Sequence, residues 1–512
     1  MSTKSGFSRR RFLTSVAAGA GMAPFAYMTR GTRTNAASAA AANLCSTNRA
    51  GVLTKNDLRY LGSFKMPSDG VGDGKHPPYN MNYSDGALTG RTVNGVTTLL
   101  LQGPPQRISA PGCPEVMEMT IPTPSISNPP RAGFVRQWLD VRNGKSLTRD
   151  ALGSLINGIC IDPDNPNHLW VGYKQYYCNN PDPCTFLAIL NNDGTCTSYG
   201  PWRHTGGAYG DGNASSGAVF ASFTTIPESW RAHVGGKRMA SMGYNQSHLN
   251  GLPGGCNLHA WAPLAPGTPP DHLTNTGDCA ITDTPILYYD RLTHRQPRTP
   301  NYKNCGWNVN SPEYDATKGA WIHQPDSYWW GAPEVGKDIA TSGVFVDTGT
   351  KHGVLFFGQL VGTIPGHVYE NGSPQECHTW YGVGAVDKNG KRPGDPGYFG
   401  GAACAHGQLD PTWRATGPGA GTIAGYCWIY DPSDLIAVAN RSAAPWSPVF
   451  TEEFMISSIP DCTIPSQTMN IRTYGGAWYD ALTKRIYVSA TEADMEGCCA
   501  PVPRIHVFQV NA

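Results

Sequence analysis

The sequence predicts an all-β fold of the β-propeller class. A hairpin pattern recurs along the chain, with a glycine and a run of β-branched and aromatic residues, a polar turn, and a second such run. Repeats with a period of tens of residues are typical of solenoids, propellers and arrays. The visible copies are residues 86–103, 158–174, 217–244, 343–359 and 476–492.

The spacing of the copies predicts the number of blades. Their first residues are 72, 59, 126 and 133 positions apart. Because the last two intervals are about twice the first two, we predict one divergent hairpin in each, which gives seven blades, within the usual range of about 4–8. Five or six blades, or a twisted sandwich, are the alternatives.

Further strands and long loops complete the prediction. Residues 58–65 (LRYLGSFK) are predicted to pair with the C-terminal strand and close the ring. Residues 147–155 favour a short helix, and long Gly/Pro-rich loops join the strands. A third strand is predicted after each hairpin, at residues 115–121, 185–190, 257–262, 426–430 and 504–510.

The N-terminal residues predict export. Residues 8–13 (SRRRFL) resemble the twin-arginine motif, and an Ala/Gly-rich segment and a cleavage site at residues 37–39 follow. We therefore predict a signal peptide over 1–39, a linker over 40–57 and one propeller domain over 58–512. The resemblance implies the twin-arginine translocase as a partner, a periplasmic or secreted location, and no stable membrane anchor.

Composition supports a secreted all-β protein. Charged residues are 15% of the chain and the net charge is +1, so no nucleic-acid partner is predicted. The 15 cysteines of an exported chain predict disulfides, with Cys178 and Cys184 as a local pair, and the odd number leaves one thiol over. Cys160, inside a predicted inner strand, is the candidate free buried thiol.

The functional residues are predicted from topology, because loops at one end of a propeller converge around its channel. An imidazole, phenols and a guanidinium at such a mouth can transfer protons and neutralise a carboxylate. The predicted catalytic residues are Tyr244, His248, Arg472 and Tyr474. The predicted substrate-binding residues are Tyr83, Asp85, Lys174, Tyr176, Asp211, Gln246, Gln359 and Glu492.

These groups suit β-elimination from a uronic-acid polysaccharide, in which an Arg stabilises the enolate-like charge while a base removes the C5 proton. In architecture and site chemistry the chain resembles the propeller-fold polysaccharide lyases (ulvan lyases and relatives) and propeller glycosidases. The resemblance implies a carbohydrate-active enzyme with a polysaccharide or small glycan as its partner. Paired carboxylates among Asp211, Glu492 and Asp494 would instead indicate hydrolysis. Two further hypotheses are a non-catalytic glycan-binding propeller and an exported redox protein with a bound cofactor.

Other clusters compete with this site. His204 lies in a Gly-rich loop (WRHTGGAY), and His378 and His406 lie in two further loops. Residues 69–73 and 162–167 have oxygen-bearing side chains at alternating positions, as calcium-binding loops do. Neither segment has the glycine at the sixth position or the distal Glu of an EF-hand. No CxxC or HExxH occurs, so we predict no catalytic metal and either no cofactor or a structural calcium.

Overall fold

Antiparallel strand pairs form nearly all of the secondary structure in the described residues. A computed structural model describes residues 49–67, 84, 86–103, 115–142, 154–175, 184–205, 219, 221–243, 256–269, 280–289, 314–315, 320–321, 338–361, 363–368, 374–376, 423–464, 474–496 and 500–511. In these ranges the chain forms five four-stranded sheets and two two-stranded sheets.

The strands are short and follow one another along the chain. The first thirteen are β1 (Leu58–Lys65), β2 (Leu88–Val93), β3 (Val96–Gln102), β4 (Val116–Thr120), β5 (Phe134–Trp138), β6 (Ser154–Asp162), β7 (Asn165–Gln175), β8 (Thr185–Leu190), β9 (Cys196–Trp202), β10 (Ser222–Thr225), β11 (Met239–Met242), β12 (Asn257–Trp261) and β13 (Asp283–Tyr288). The others are β14 (Tyr314–Asp315), β15 (Ala320–Trp321), β16 (Asp338–Asp347), β17 (His352–Val361), β18 (Thr363–Val368), β19 (Pro374–Glu376), β20 (Ile423–Tyr430), β21 (Glu452–Met455), β22 (Tyr474–Asp480), β23 (Arg485–Glu496) and β24 (Ala500–Val510).

The four-stranded sheets are the blades of a β-propeller, which confirms the predicted class. Blades 1 to 3 are β2–β5, β6–β9 and β10–β13; blade 4 is β16, β17, β20 and β21; blade 5 is β22, β23, β24 and β1. The predicted count of seven blades is wrong, because the structure has five. The two long intervals hold insertions instead of extra blades. One lies between β13 and β16 and contains β14 and β15, and the other lies between β17 and β20 and contains β18 and β19.

The first strand of each hairpin is the innermost strand of its blade. β2, β6, β10, β16 and β22 contact one another in that order, and β22 contacts β2 to complete the ring. The predicted closure is confirmed, because β1 pairs with β24 along its whole length, from Leu58 opposite Val510 to Lys65 opposite Arg504. The N-terminal strand is therefore the outer strand of the blade that the C-terminus builds.

The hydrophobic core consists of five layers, one between each pair of neighbouring blades. Successive residues of one strand serve two layers, because strand side chains alternate between faces. In β3, Leu99 and Leu101 pack toward blade 5, whereas Leu100 packs toward blade 2. Both faces of each sheet are covered, which explains why second strands such as β3 (VTTLLLQ) contain continuous apolar runs.

The glycines that begin two of the repeats, Gly158 and Gly476, mark close approaches between inner strands. A Cβ on Gly158 would lie 1.6 Å from the carbonyl oxygen of Ala221 in blade 3. A Cβ on Gly476 would lie 2.4 Å from the backbone nitrogen of Leu88 in blade 1. Only a residue without a side chain fits at such contacts.

Hydroxyl and amide side chains join neighbouring inner strands. Thr89 Oγ1 of blade 1 accepts a hydrogen bond from Ile161 N of blade 2 at 3.2 Å. Ser222 Oγ of blade 3 accepts one from Gly343 N of blade 4 at 3.3 Å. The backbone groups of an inner edge have no further strand to pair with, so these side chains satisfy part of that edge.

The third strand of every blade was predicted correctly, as β4, β8, β12, β20 and β24. Of the predicted helix at 147–155, Ser154 and Leu155 belong to β6, and residues 147–153 lie outside the described ranges. Two helices are described that were not predicted: α1 (Glu228–Arg231), and α2 (Pro432–Ala439), which is capped by Asp431.

Residues 49–57 lie across blade 4 before the chain enters β1. Leu53 is fully buried in the layer between blades 4 and 5. Arg49 forms salt bridges of 2.8 Å with both Asp431 and Asp434 at the start of α2. Among the residues described, no helix is long and apolar enough to span a membrane.

Candidate functional site

The candidate site lies at the entry end of the propeller, which we define as the end where β6, β16 and β22 begin. Every second strand ends at this end, because it runs antiparallel to the inner strand of its blade. Loops that leave second strands and loops that enter inner strands therefore share one rim. Eight of the predicted site residues lie outside the described residues, and their roles stay predictions: Tyr83, Asp85, Tyr176, Asp211, Tyr244, Gln246, His248 and Arg472.

Three predicted binding residues lie toward the entry end of second strands in three blades. Lys174 and Gln359 occupy corresponding backbone positions, whereas Glu492 lies one position beyond the corresponding residue of its strand. Lys174 of β7 is opposite Leu155, and Gln359 of β17 is opposite Ile339. Glu492 of β23 lies two residues beyond Ala490, which is opposite Tyr474. The structure thus brings these three positions to the entry end, although they are far apart in sequence.

Tyr474 is the one predicted catalytic residue whose side chain the structure describes. It is the first residue of β22 and is fully buried between blades 4 and 5. Its ring lies 6.3 Å from that of Phe357, and its hydroxyl packs on Gly425, where a Cβ would be 2.0 Å from Oη. Burial raises the pKa of Tyr474 well above its ordinary value, so the phenol is held in its neutral form.

Irregular strand pairing marks the same end of the propeller. The register shifts at Asn157 in β6, at Thr341 in β16 and at Gly475 in β22. A β-bulge leaves one residue unpaired and bends its strand, and bulges are over-represented next to active sites. The inner strands of blades 2, 4 and 5 therefore bend where they leave the loops.

A set of buried neutral polar residues fixes the strand ends below the rim. Gln102 accepts from Ala87 N through Oε1 at 3.3 Å, and its Nε2 donates to the carbonyl of Ile156 in the next blade. Asn257 accepts from Gly243 N at 3.0 Å and donates to Gly243 O at 2.7 Å. These side chains hold the backbone from which the loops depart, which is the support that a precise site needs.

The described buried carboxylates are held by basic groups. Glu118 pairs with Arg91 at 2.7 Å, and Glu115 pairs with Arg142 at 2.5 Å. Asp283 lies 2.6 Å from His259. No pair of unengaged buried carboxylates, as glycoside hydrolysis would use, is formed by these residues.

The calcium candidate at residues 162–167 is a hairpin turn with its carboxylate already engaged. Arg238 of blade 3 binds Asp162 through Nε at 2.9 Å, and the amide of Asp164 donates to the same carboxylate at 3.0 Å. Burial opposes ionisation, but these bonds hold the pKa of Asp162 below its ordinary value. The guanidinium occupies the place that a cation would take. The other candidate, residues 69–73, lies outside the described ranges.

His204, which the sequence marked as a loop histidine, lies in a buried network between blades 2 and 3. Its Nε2 is 2.9 Å from Thr185 Oγ1, and its Nδ1 is 3.9 Å from Asp283 Oδ1. His259 contacts the other oxygen of Asp283. Sequence reasoning missed His259 and Asp283, because each lies in a strand and only the topology of blade 3 pairs them. His378 and His406 are in parts of the chain that the structure does not describe.

The predicted free thiol at Cys160 is confirmed, because it is buried in β6 and forms no disulfide. Burial raises its pKa to about 12, which makes the thiol unreactive. In the described ranges Cys196, Cys427 and Cys462 are also free thiols. The disulfides predicted for the other cysteines stay predictions.

Comparisons with known proteins found similar folds only. No family model and no curated protein match the chain. A glycosyl hydrolase structure from Bacteroides ovatus is 12% identical, with a TM-score of 0.35, over 91% of this chain and 98% of that one.

A second structure comes from the GH130 family of mannoside phosphorylases, described as containing glycoside hydrolases that target β-1,2 mannosidic linkages in Candida mannan. It is 11% identical with a TM-score of 0.36, over 91% of this chain and 98% of that one. The Dos1 propeller is 9% identical with a TM-score of 0.25, over 90% and 97%. At these identities and scores the structures resemble the chain in fold and assign it no function.

Proposed function

We propose that the protein is an exported carbohydrate-active enzyme whose site lies at the entry end of the propeller. The proposed reaction is β-elimination on a uronic-acid polysaccharide, with glycoside hydrolysis as the other reaction of the same class. The proposed catalytic residues are Tyr244, His248, Arg472 and Tyr474.

The observation that carries the proposal is the approach of blades 3 and 5 across the channel. Their inner strands, β10 and β22, contact each other although the two blades are not neighbours in the ring. Tyr244 and His248 follow β11 of blade 3 in the chain, and Arg472 lies two residues before the first residue of β22 in blade 5. A narrow five-bladed ring therefore supports the convergence of a base from one blade with a guanidinium from another.

The proposed chemistry assigns one task to each group. Arg472 pairs with the uronate carboxylate and stabilises the negative charge that develops there when the C5 proton is removed. His248 or Tyr244 accepts that proton, and a phenol protonates the departing glycosidic oxygen at C4. The products are a new reducing end and a sugar with a C4–C5 double bond.

A panel of uronate polysaccharides tests the proposal. A lyase produces both ultraviolet absorbance from the unsaturated sugar and new reducing ends, whereas a hydrolase produces reducing ends alone. No change in either readout on any substrate, with the protein folded, would reject both reactions.

Single substitutions test the assigned residues on any substrate that is turned over. His248→Ala and Tyr244→Phe are expected to lower kcat by about 10²–10⁴-fold, because each removes a proton-transfer group. Arg472→Ala is expected to cost about 10²–10³-fold through lost charge stabilisation. His233→Gln is the matched control, because His233 is exposed in the connection between β10 and β11, at the opposite end of that hairpin from the entry loops.

Tyr474→Phe distinguishes two possible roles of Tyr474, proton donation and packing. Loss of kcat with an unchanged melting temperature would support proton donation by its hydroxyl. Unchanged kcat would restrict Tyr474 to packing between blades 4 and 5, where its ring already lies against Phe357.

Glycan binding without catalysis is the second candidate, and the burial of Tyr474 is the observation in its favour. A binding protein would retain a saturable affinity for a polysaccharide while showing neither product signal. Arg472→Ala would then weaken binding, since it would still remove the partner of the uronate carboxylate.

A further inference from the structure

Four polar residues contact one another between blades 2 and 3. Thr185 of β8 and His204, just after β9, come from blade 2, whereas His259 of β12 and Asp283 of β13 come from blade 3. None of the four is more than 2% exposed. We call them the interblade network.

The network lies beside the apolar layer that joins the same two blades. The ring of His204 meets Trp261 edge-on at 5.4 Å, and Trp261 in turn contacts Trp170 of blade 2 at 5.2 Å. His204 also takes part in a backbone bridge to Ile281. The network therefore forms part of the contact between the two blades.

One carboxylate faces two imidazoles in this network. Asp283 Oδ2 is 2.6 Å from His259 Nδ1, and Asp283 Oδ1 is 3.9 Å from His204 Nδ1. A carboxylate only accepts hydrogen bonds, so Nδ1 of His259 carries a proton. Protonation of His204 would place an additional charge in this buried site, which burial disfavours.

We propose that the interblade network is an acid-sensitive clasp, which holds blades 2 and 3 together near neutral pH and releases them on acidification. The groups that face His204 are Thr185 from β8, His259 from β12 and Asp283 from β13, and the adjacent Arg203 lies on its own segment.

The direction in which the pKa of His204 is shifted agrees with a loss of stability on acidification. Burial lowers its pKa from the ordinary 6.5 to about 4, with Asp283 opposing the shift and His259 adding to it. A histidine with a lowered folded pKa binds fewer protons than in the open chain, so the closed state loses stability as pH falls from 6.5 toward 4. Between pH 7 and pH 5 the closed-to-open equilibrium is expected to shift by about 20-fold toward the open state.

The buried thiol of Cys160 provides a local probe of opening. It belongs to the apolar layer between blades 2 and 3, together with Trp170 and Trp261. Cys427, equally buried, belongs to the layer between blades 4 and 5 and reports on opening elsewhere. We would label the full-length protein with 4,4′-dithiodipyridine, which reacts in acid, and quantify each cysteine by peptide mapping.

In the wild type, labelling of Cys160 is expected to rise about 20-fold between pH 7 and pH 5. Because buried His506 bonds Tyr60 in the layer that holds Cys427, the comparison with Cys427 is made in His506→Gln, where labelling of Cys427 should stay unchanged. His204→Gln keeps a partner for Thr185 but cannot gain a proton, and its Cys160 labelling should vary less than about two-fold over that range. His506→Gln is the matched control, because His506 is also buried with a lowered pKa but lies in blade 5. This control should behave as the wild type does at Cys160.

Equal rises at Cys160 and Cys427 in His506→Gln would mean global unfolding and would overturn the clasp. An undiminished rise in His204→Gln would overturn it too. If that variant fails to fold, deuterium exchange at the imidazole C2 of the wild type gives the midpoint of His204 directly. A midpoint at the ordinary value of about 6.5 would reject the proposal.

Discussion

Gly158 lies where the inner strands of blades 2 and 3 meet, and it has no space for a side chain. The atom in the way is the carbonyl oxygen of Ala221, which belongs to the backbone and cannot turn aside. The same glycine begins each hairpin repeat in the sequence. Its recurrence could be read from the sequence, whereas the reason for it depends on the neighbouring blade.

Gly158→Ala is expected to lower the free energy of unfolding by about 3 kcal/mol, because the new methyl group would force the two inner strands apart. Gly133→Ala is the matched control. Gly133 is exposed, and its Cβ would meet only the side chain of Thr120, at 3.1 Å. Urea unfolding of both variants measures the difference, and equal stabilities would contradict the contact.

For the candidate residues that the structure describes, the sequence predicted the position along the strand but not the environment. Lys174, Gln359 and Glu492 do lie at the entry end, because hairpin register alone places them there. The burial of Tyr474 was not predictable, because it depends on Gly425 from an adjacent blade. His259 and Asp283 were missed for the same reason.

At the scale of the strands, β1 has the largest structural role for its length. Phe64 is fully buried in the layer between blades 5 and 1, and Tyr60 lies in the layer between blades 4 and 5. The hydroxyl of Tyr60 bonds Thr463 at 2.8 Å and His506 at 2.9 Å. One strand thus joins two core layers and covers the edge of β24.

Removal of β1 is expected to abolish cooperative unfolding. A chain that begins at Arg49 should unfold in one transition, whereas a chain that begins at Met66 should expose the edge of β24 and aggregate. A peptide covering residues 49–65, added in trans, should restore folding by mass action. Normal folding of the shorter chain would show that closure by β1 is dispensable. Tyr60→Phe in the full chain should cost only about 1 kcal/mol.

Second and third strands could be predicted from sequence, because both of their faces are buried and they contain apolar runs. The inner strands followed from the hairpin repeat. The fourth strands of blades 1 to 4 could not be predicted. In β5, for example, Phe134, Val135 and Arg136 are all half-exposed, and the pattern carries little period-2 signal.

At the scale of the whole molecule, the number of blades was the main error. If the blades were evenly spaced along the chain, a doubled interval would indicate a hidden blade. Here, insertions between β13 and β16 and between β17 and β20 lengthen two intervals. Loop insertions cost little stability, so interval length is a poor measure of blade number.

Ring closure also bears on export. Because β1 pairs with β24, which follows all the other described strands, the ring closes only after β24 has been synthesised. The twin-arginine pathway, which the SRRRFL motif suggests, carries folded proteins. Replacement of both Arg9 and Arg10 by Lys is expected to retain the protein in the cytoplasm as an uncleaved precursor, measured by cell fractionation and mass.

Replacement of both Arg30 and Arg33 by Lys, outside the motif, should leave export unchanged. Export of the Arg9 and Arg10 variant at the normal level would exclude the twin-arginine route.

The pairing of β1 with β24 has a practical consequence for attachment. The chain leaves Val510 beside Leu58, in the two outer strands of blade 5 and at the end of that blade opposite the entry end. A label or solid support fused there would be attached on the side of the propeller away from the entry loops. Immobilised protein should therefore keep its access to large polymers.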